Sequence, residues 1–338
     1  MKKIISIIAA LFVLIFSVCA CSSNEKADVP SKTETSVDDV KSDKKVFKIG
    51  LSQYGEHASL DNCREGFIKG LTEAGLSEED FEIDYENAGF DDTVAAQIAQ
   101  KFSADNVDLM CAVATPSATA CFAAAEDKNI PVIFTAITDP EAAGLASGNI
   151  TGTSDKLPVD AQLELIRKIQ PEAKTIGIVY TTSEPNSVSA IEEYKEKASD
   201  YGFTIEAMGV TSQAEVTQAI DNLINKGVDC FSNLTDNNVV GVLSSILEKT
   251  NEAGIPVYGS EIEQVKLGCA ACAGIDYYAL GIQTGKMAVR ILNGEKAEDI
   301  PFETITEYGI YINSEAIDSF NLTIPDDIKD KAQEAKAV

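Results

Sequence analysis

The sequence predicts an α/β protein built of two open, parallel-sheet halves, and three observations carry that expectation. Short apolar runs alternate with segments whose apolar residues recur every three or four positions, the βαβα pattern of a parallel sheet covered by helices on both faces. A second series of the same kind starts near Lys174 and is of comparable length. The 338 residues, less an N-terminal leader, leave a globule of about 290, more than the roughly 100–200 residues of one compact core.

The leader comes first. Lys2 and Lys3 precede an apolar run from Ile4 to Val18 that is too short for a comfortable membrane span, so residues 1–20 read as a signal peptide. The run ends Val18-Cys-Ala-Cys21, which resembles the bacterial lipobox and makes Cys21 the lipid-anchor candidate. Residues 21–46 are Ser, Lys, Asp, Glu and Thr with few apolar positions, a composition that buries too little surface to repay ordering and reads as a tether.

The first series opens with a strand at Phe47–Ser52, a helix from Leu60 to Ala74 closed by Gly75, and a strand at Phe81–Glu86. Asp91 caps a helix that aligns Val94, Ile98 and Phe102. The apolar run from Asp108 ends at Ala114, where Thr115 reads as an N-cap, Pro116 as a first helical residue and Ser117 as part of the first turn. Taken alone this is a capped βα turn. It is also an anion cup, because a helix start offers unpaired N–H groups and the positive end of the dipole beside two hydroxyls. Ile130–Thr135 is the next strand and leaves through Ala136-Ile-Thr-Asp-Pro140.

The second series repeats the plan after Asn149–Ser154. Lys174–Tyr180 is a strand leaving through Thr181–Ser187 into a helix from Val188 to Asp200; Phe203–Gly209, Ala214–Lys226 and Val228–Leu234 are strand, helix, strand. Thr235–Asn238 is the next exit and Ile255–Ser260 the closing strand. Ligands of open α/β sheets sit beyond the carboxyl ends of the strands, so two such halves facing each other make a cleft.

Composition narrows the function. A net charge of −27 without a basic face argues against nucleic acid. Of the eight cysteines, Cys19 and Cys21 belong to the leader, Cys111, Cys121 and Cys230 read as small core residues, and Cys269-Ala-Ala-Cys272 lies in an apolar run instead of opening a helix. With His57 as the single histidine, His-based catalysis and His-rich metal sites have little to draw on. No glycine-rich phosphate loop, G-x-S-x-G elbow or metal-ligand cluster is present, so the expectation is a binder with no cofactor and no metal, not an enzyme.

Several short motifs together resemble a known family: Ser52-Gln-Tyr54, His57–Asp61, Ala114-Thr-Pro-Ser-Ala118, Thr138-Asp-Pro140, Asn149-Ile-Thr-Gly152, Tyr180 with Ser183-Glu-Pro-Asn-Ser187, Thr235-Asp-Asn237 and Gly274–Tyr278. Their order resembles the tryptophan/tyrosine-type substrate-binding lipoproteins of ABC importers over about Phe47 to Pro301. The resemblance implies a type I periplasmic-binding-protein fold, two doubly wound parallel-sheet lobes joined by three crossovers around a ligand cleft. Lobe 1 would then be residues 47–152 plus 277–300 and lobe 2 residues 153–276 plus 301–338. It further implies a small-molecule ligand, most readily an aromatic amino acid, permease subunits as partners, and an extracytoplasmic location through the N-terminal lipid. Tyr258-Gly-Ser-Glu261 departs from the family's usual Ala-Ser-Asp ending. A sugar or nucleoside binder, or a surface adhesin or sensor, is the alternative on the same fold.

The needs of a zwitterion assign the candidate residues. Thr115 and Ser117 with backbone N–H groups would hold a carboxylate, as would Ser183, Asn186 and Ser187 on the other lobe. Asp236 at a strand exit is the ammonium candidate, with Asp276 second because it falls where a crossover runs and can instead brace the hinge. Thr138 and Asp139 stand at another exit, Asp139 before Pro140 also fitting a plain turn. Tyr54, Phe134 and Tyr180 are candidates for an aromatic side chain, with Gln53 beside them and Glu56 and His57 at the rim.

Overall fold

In a computed structural model, residues 45–335 are described; Cys21 and the leader lie outside them. The first lobe begins with β1 (Phe47–Gln53), α1 (Ala58–Glu73), β2 (Phe81–Asn87), α2 (Asp92–Asp105), β3 (Leu109–Val113), α3 (Thr115–Ala125), β4 (Val132–Thr135) and β5 (Ile150–Ser154). The chain then crosses to α4 (Val159–Ile169), β6 (Thr175–Thr181), α5 (Pro185–Lys197), β7 (Thr204–Val210), α6 (Gln213–Lys226) and β8 (Cys230–Ser232). That lobe continues with α7 (Asn237–Val240), α8 (Leu243–Ala253), β9 (Val257–Tyr258), α9 (Ile262–Leu267) and β10 (Ala271–Gly274). A second crossing leads to α10 (Tyr277–Leu292) and β11 (Glu303–Thr304), and a third returns to β12 (Gly309–Ile312), α11 (Ser314–Ser319), α12 (Asp326–Lys329) and β13 (Ala332–Glu334).

The first sheet runs β11-β5-β4-β3-β1-β2, every neighbouring pair parallel. The second is β7-β6-β8-β9, also parallel, and two backbone bonds, Gly259 N–H to Ala271 O at 3.0 Å and Ala270 N–H to Val257 O at 2.7 Å, carry it into the small β10-β12-β13 sheet. Pairing of Glu303 and Thr304 with Thr153 and Ser154 puts β11 on the first sheet, past the expected division at 300. Those backbone groups complete the edge of β5 before the chain crosses.

Parallel strands buried on both faces need continuous apolar sequence, and β3 is buried at all five positions. Around it Ile49, Leu51, Phe102, Ile133 and Phe134 make the first-lobe core; Leu163, Ile166, Ile176 and Ile178 make that of the second. Truncating one such Leu or Ile to Ala costs about 2–5 kcal/mol.

The helices α1 and α10 touch backbone to backbone. A Cβ at Gly281 would lie 2.2 Å from the carbonyl of Cys63, and one at Gly66 would lie 2.2 Å from that of Tyr278. Small residues thus weld α10, which begins at the second crossing, to α1, which begins at the cleft. The cysteines Cys63, Cys111, Cys121, Cys230, Cys269 and Cys272 are all free and buried, as core packing demands of a small apolar side chain.

Candidate functional site

The strand exits of both sheets converge on one cleft. On the first lobe, β3 leaves through Ala114 in the left-handed region (φ 77°), and α3 therefore starts at Thr115 with no side-chain cap. This corrects the expected role of Thr115 as N-cap: its hydroxyl is released from capping and is buried without a hydrogen-bond partner among the described residues. Beside it the Ser52 hydroxyl donates to Ser117 Oγ at 3.1 Å. The first N–H groups of a helix have no intrahelical acceptor, so this end of α3 is an open donor site.

On the second lobe the start of α7 is arranged oppositely, already occupied by two carboxylates. Asp236 is fully buried; it accepts the Thr181 N–H at 2.5 Å, the Thr181 hydroxyl at 2.8 Å and the Val239 N–H at 2.9 Å, capping α7 and tying it to β6. Glu184 accepts the N–H groups of Asn237 (3.1 Å) and Asn238 (3.2 Å), and also both of their side-chain amides, at 2.6 and 2.9 Å. Burial, and then the nearby Asp236, push the Glu184 carboxyl up; burial pushes Asp236 up as well. Asn186 donates to Glu184 Oε2 and to the Thr235 carbonyl, both at 3.1 Å, which leaves its own buried Oδ1 unpartnered among the described residues.

Direct bonds join the lobes over this cleft. The hydroxyls of Thr138 and Thr235 are 3.0 Å apart, Ser189 donates to Asp139 Oδ2 at 2.5 Å, and Asn62 donates to Glu263 Oε1 at 2.7 Å. At the mouth, the Phe90 ring lies edge-on to Tyr54 at 6.0 Å and parallel to His57 at 6.5 Å, and it reaches the second lobe at Gly241. Phe90 holds a left-handed backbone (φ 64°), strain that orients the ring across the opening. The buried Tyr54 donates to Asp92 Oδ1 at 2.9 Å. Burial holds His57 near pKa 4, against Asn237 and Asp61, so its ring is neutral at pH 7.

Other expected residues are placed differently. Phe134 is wholly inside the first-lobe core, its ring 6.4 Å from Phe302 and close over Gly152, because the β4 pleat turns it to the sheet face. Tyr180 packs beside Gly209 with the Lys195 ammonium 5.8 Å from its ring, on the face of the second sheet. Ser183 is exposed, and Ser187 is buried with its hydroxyl turned to Asp236. Gln53 is committed within its own lobe, donating to Gly55 O and Asp61 and accepting from Arg64. Asp276 caps α10 through the N–H groups of Tyr278 and Ala279 and so braces the hinge.

Sequence reasoning passed over Glu184, Asn237 and Asn238. The one available signal was an acid directly before Pro185 at a helix start. It also missed two buried carboxylates where the lobes meet. Asp155, on the first crossing, accepts the Tyr277 hydroxyl at 2.5 Å, and Glu261, at the exit of β9, accepts the Gln264 amide at 3.0 Å. Burial pushes Asp155 up, and burial with Glu263 pushes Glu261 up to about 8.

Residues 48–336 match the family model described as ABC transporter substrate binding protein. The chain is 37% identical to the tyrosine-binding protein of Clostridioides difficile (strain R20291), over 95% of this chain and 93% of that one. It is similar to the structure of an ABC domain from Streptococcus pneumonia in complex with L-Trp, at a TM-score of 0.83 and 33% identity, covering 86% of this chain and 99% of that one. A ligand-free, open substrate-binding protein with adhesive properties from Clostridium difficile superposes at a TM-score of 0.65 despite 39% identity, covering 87% and 100%. With a model matched across the whole globule and a fold of two parallel-sheet lobes, the chain belongs to the ABC transporter substrate-binding protein family.

Proposed function

We propose that the chain is the ligand-capturing, non-enzymatic component of an ABC importer, held outside the cytoplasmic membrane by a lipid on Cys21. Its cargo in this reading is an aromatic amino acid: tyrosine, tryptophan or phenylalanine. The lobes follow the expected division, 47–152 with 277–300 and 153–276 with 301–338, the first extended to the end of β5 at Ser154 and to β11. Relatives named for tyrosine and bound to L-Trp support the cargo class. The bonds between the lobes, and the closer superposition on the liganded relative than on the open one, support capture by closure.

The observation that carries the reading is the contrast between the helix starts. That of α7 on the second lobe is filled by Glu184 and Asp236, whereas α3 offers open N–H groups with the Thr115 hydroxyl, which has no partner among the described residues. A ligand carboxylate is therefore drawn to Thr115 and Ser117, while the free group of Asn186 is an acceptor, suited to a ligand donor and not to the carboxylate. Tyr54, His57 and Phe90 form the aromatic wall, and Thr138 and Asp139 fasten the lobes.

Calorimetric titration of the mature protein with the twenty amino acids, a panel of sugars and nucleosides tests this. Saturable binding of aromatic amino acids without turnover is the expected result. Binding confined to a sugar or nucleoside, or conversion of any ligand, overturns it. A second role in surface adhesion rests on the adhesive relative and is compatible with ligand capture.

A further inference from the structure

We infer that the ligand's ammonium group is received at the meeting of the lobes by Asp155, with Glu261 as the second carboxylate, and not by Asp236. This rests on the amino-acid reading above and deepens it. Asp236 has both oxygens committed: Oδ2 to the Thr181 N–H, and Oδ1 to the Thr181 hydroxyl and the Val239 N–H. An ammonium arriving there would have to displace bonds that hold β6 to α7. Glu184 is equally engaged, its two oxygens sharing the amides of Asn186, Asn237 and Asn238.

Asp155 differs. It is 3% exposed, its Oδ2 is fixed by the Tyr277 hydroxyl, and its Oδ1 is buried without a direct hydrogen bond among the described residues, with the Thr138 hydroxyl and its own N–H as the nearby groups that favour its charge. An ionised carboxylate oxygen shut away from water without a donor is costly unless a cation or proton meets it. Glu261, 2% exposed, stands at the start of α9, where it caps no N–H of its own helix. Its carboxylate is steered by Gln264, which is itself held by Ser260 and Asn233. Gly274 presses on the Glu261 backbone so closely that a Cβ there would come within 2.9 Å. Burial first, and then both carboxylates, push the Cys63 thiol and the Tyr277 hydroxyl up, so the two acids lie within electrostatic reach of the same two groups. Glu263 adds a third acid; among the described residues its ion-pair partner is Lys266 at 3.8 Å, with no other cation paired to this group.

The arrangement also couples capture to closure. Asp155 belongs to the first crossing and is bonded to Tyr277 at the second, while Glu261 belongs to the second lobe, so an ammonium between them joins parts that separate when the lobes open.

The experiment uses the mature wild type, Asp155→Asn and Glu261→Gln. Each is titrated with L-tyrosine, L-tryptophan and L-phenylalanine and with the matching des-amino acids, which keep ring and carboxylate but lack the ammonium. A charge-assisted hydrogen bond is worth about 1.5–3 kcal/mol, so each variant is expected to lose about ten- to a hundredfold in affinity for the amino acids. Affinity for the des-amino acids should be unchanged or improved. Comparing two ligands on the same variant is insensitive to the fraction folded, and the two variants lie on different elements, so a folding defect in one leaves the other decisive. Equal losses for both ligand types, or none, overturn the assignment while leaving the amino-acid reading intact. Failure of the wild type to bind any aromatic amino acid overturns both.

Discussion

Replacing Asp236 by Ala should damage the fold before it damages recognition. The change strips the acceptor from the Thr181 and Val239 N–H groups, which cannot rotate toward another partner, and from the Thr181 hydroxyl. Both residues are essentially fully buried. Each orphaned buried donor costs about 1–3 kcal/mol, and the lost cap of α7 overlaps with one of them. Relief of the repulsion between Asp236 and Glu184, the force that helps raise Glu184, returns part of this. A net loss of about 3 kcal/mol is expected, a large fraction of the roughly 5–15 kcal/mol by which domains are stable. Asp236→Asn should fall between, since its amide oxygen can keep Val239 and the Thr181 hydroxyl while its NH₂ meets the Thr181 N–H donor to donor. Urea unfolding at pH 7 reads the shift in midpoint at constant slope. An unchanged midpoint, together with affinity lost for amino acids but not for their des-amino analogues, would refute this account and return Asp236 to the ammonium.

Gly281→Ala forces a methyl against the Cys63 carbonyl at 2.2 Å, so despite better helix propensity, worth about 1 kcal/mol, it should lower stability by about 1–3 kcal/mol in thermal melts. Glu261 has its folded pKa raised to about 8 from 4.5, so the folded state holds one more proton between those values and stability falls as pH rises through that window. Glu261→Gln should flatten that part of the stability–pH curve, and an unaltered slope would contradict the raised pKa. Cys21→Ala should release the protein from the membrane fraction with the globule still folded; undiminished anchoring would contradict the lipobox reading.

The architecture was legible because parallel sheets write themselves into sequence as buried apolar runs between amphipathic helices, as at Leu109–Val113 and Thr175–Thr181. The four residues of α7 and the two of β9 are too short to show a period. The site was legible only to the level of which loops form it. Thr115 looked like a cap because nothing in sequence reveals that Ala114 adopts a left-handed turn. Phe134 and Tyr180 looked like ligand contacts because proximity to a strand end does not say which way the pleat sends a side chain. Asp236 and Asp155 are both acids at strand exits; what separates them is whether distant residues, Thr181 for one and Tyr277 for the other, use up both oxygens or one.

The six buried thiols set a condition on how the chain reaches this fold. Each has its pKa pushed up by burial, so in the native state none carries the thiolate that attacks disulfides or oxidants. That protection exists only after packing is complete. An importer's binding component works outside the reducing cytoplasm, where unfolding would expose these buried thiols as ordinary ones to air and to exchange. Cys269 and Cys272, three residues apart, and Cys111 and Cys121, ten apart, are near enough in sequence to pair wrongly before β3 and β10 form. Burial of these strands therefore has to outrun oxidation, and a globule unfolded by heat in air is expected to be trapped by its own cross-links, where one unfolded under reductant should refold.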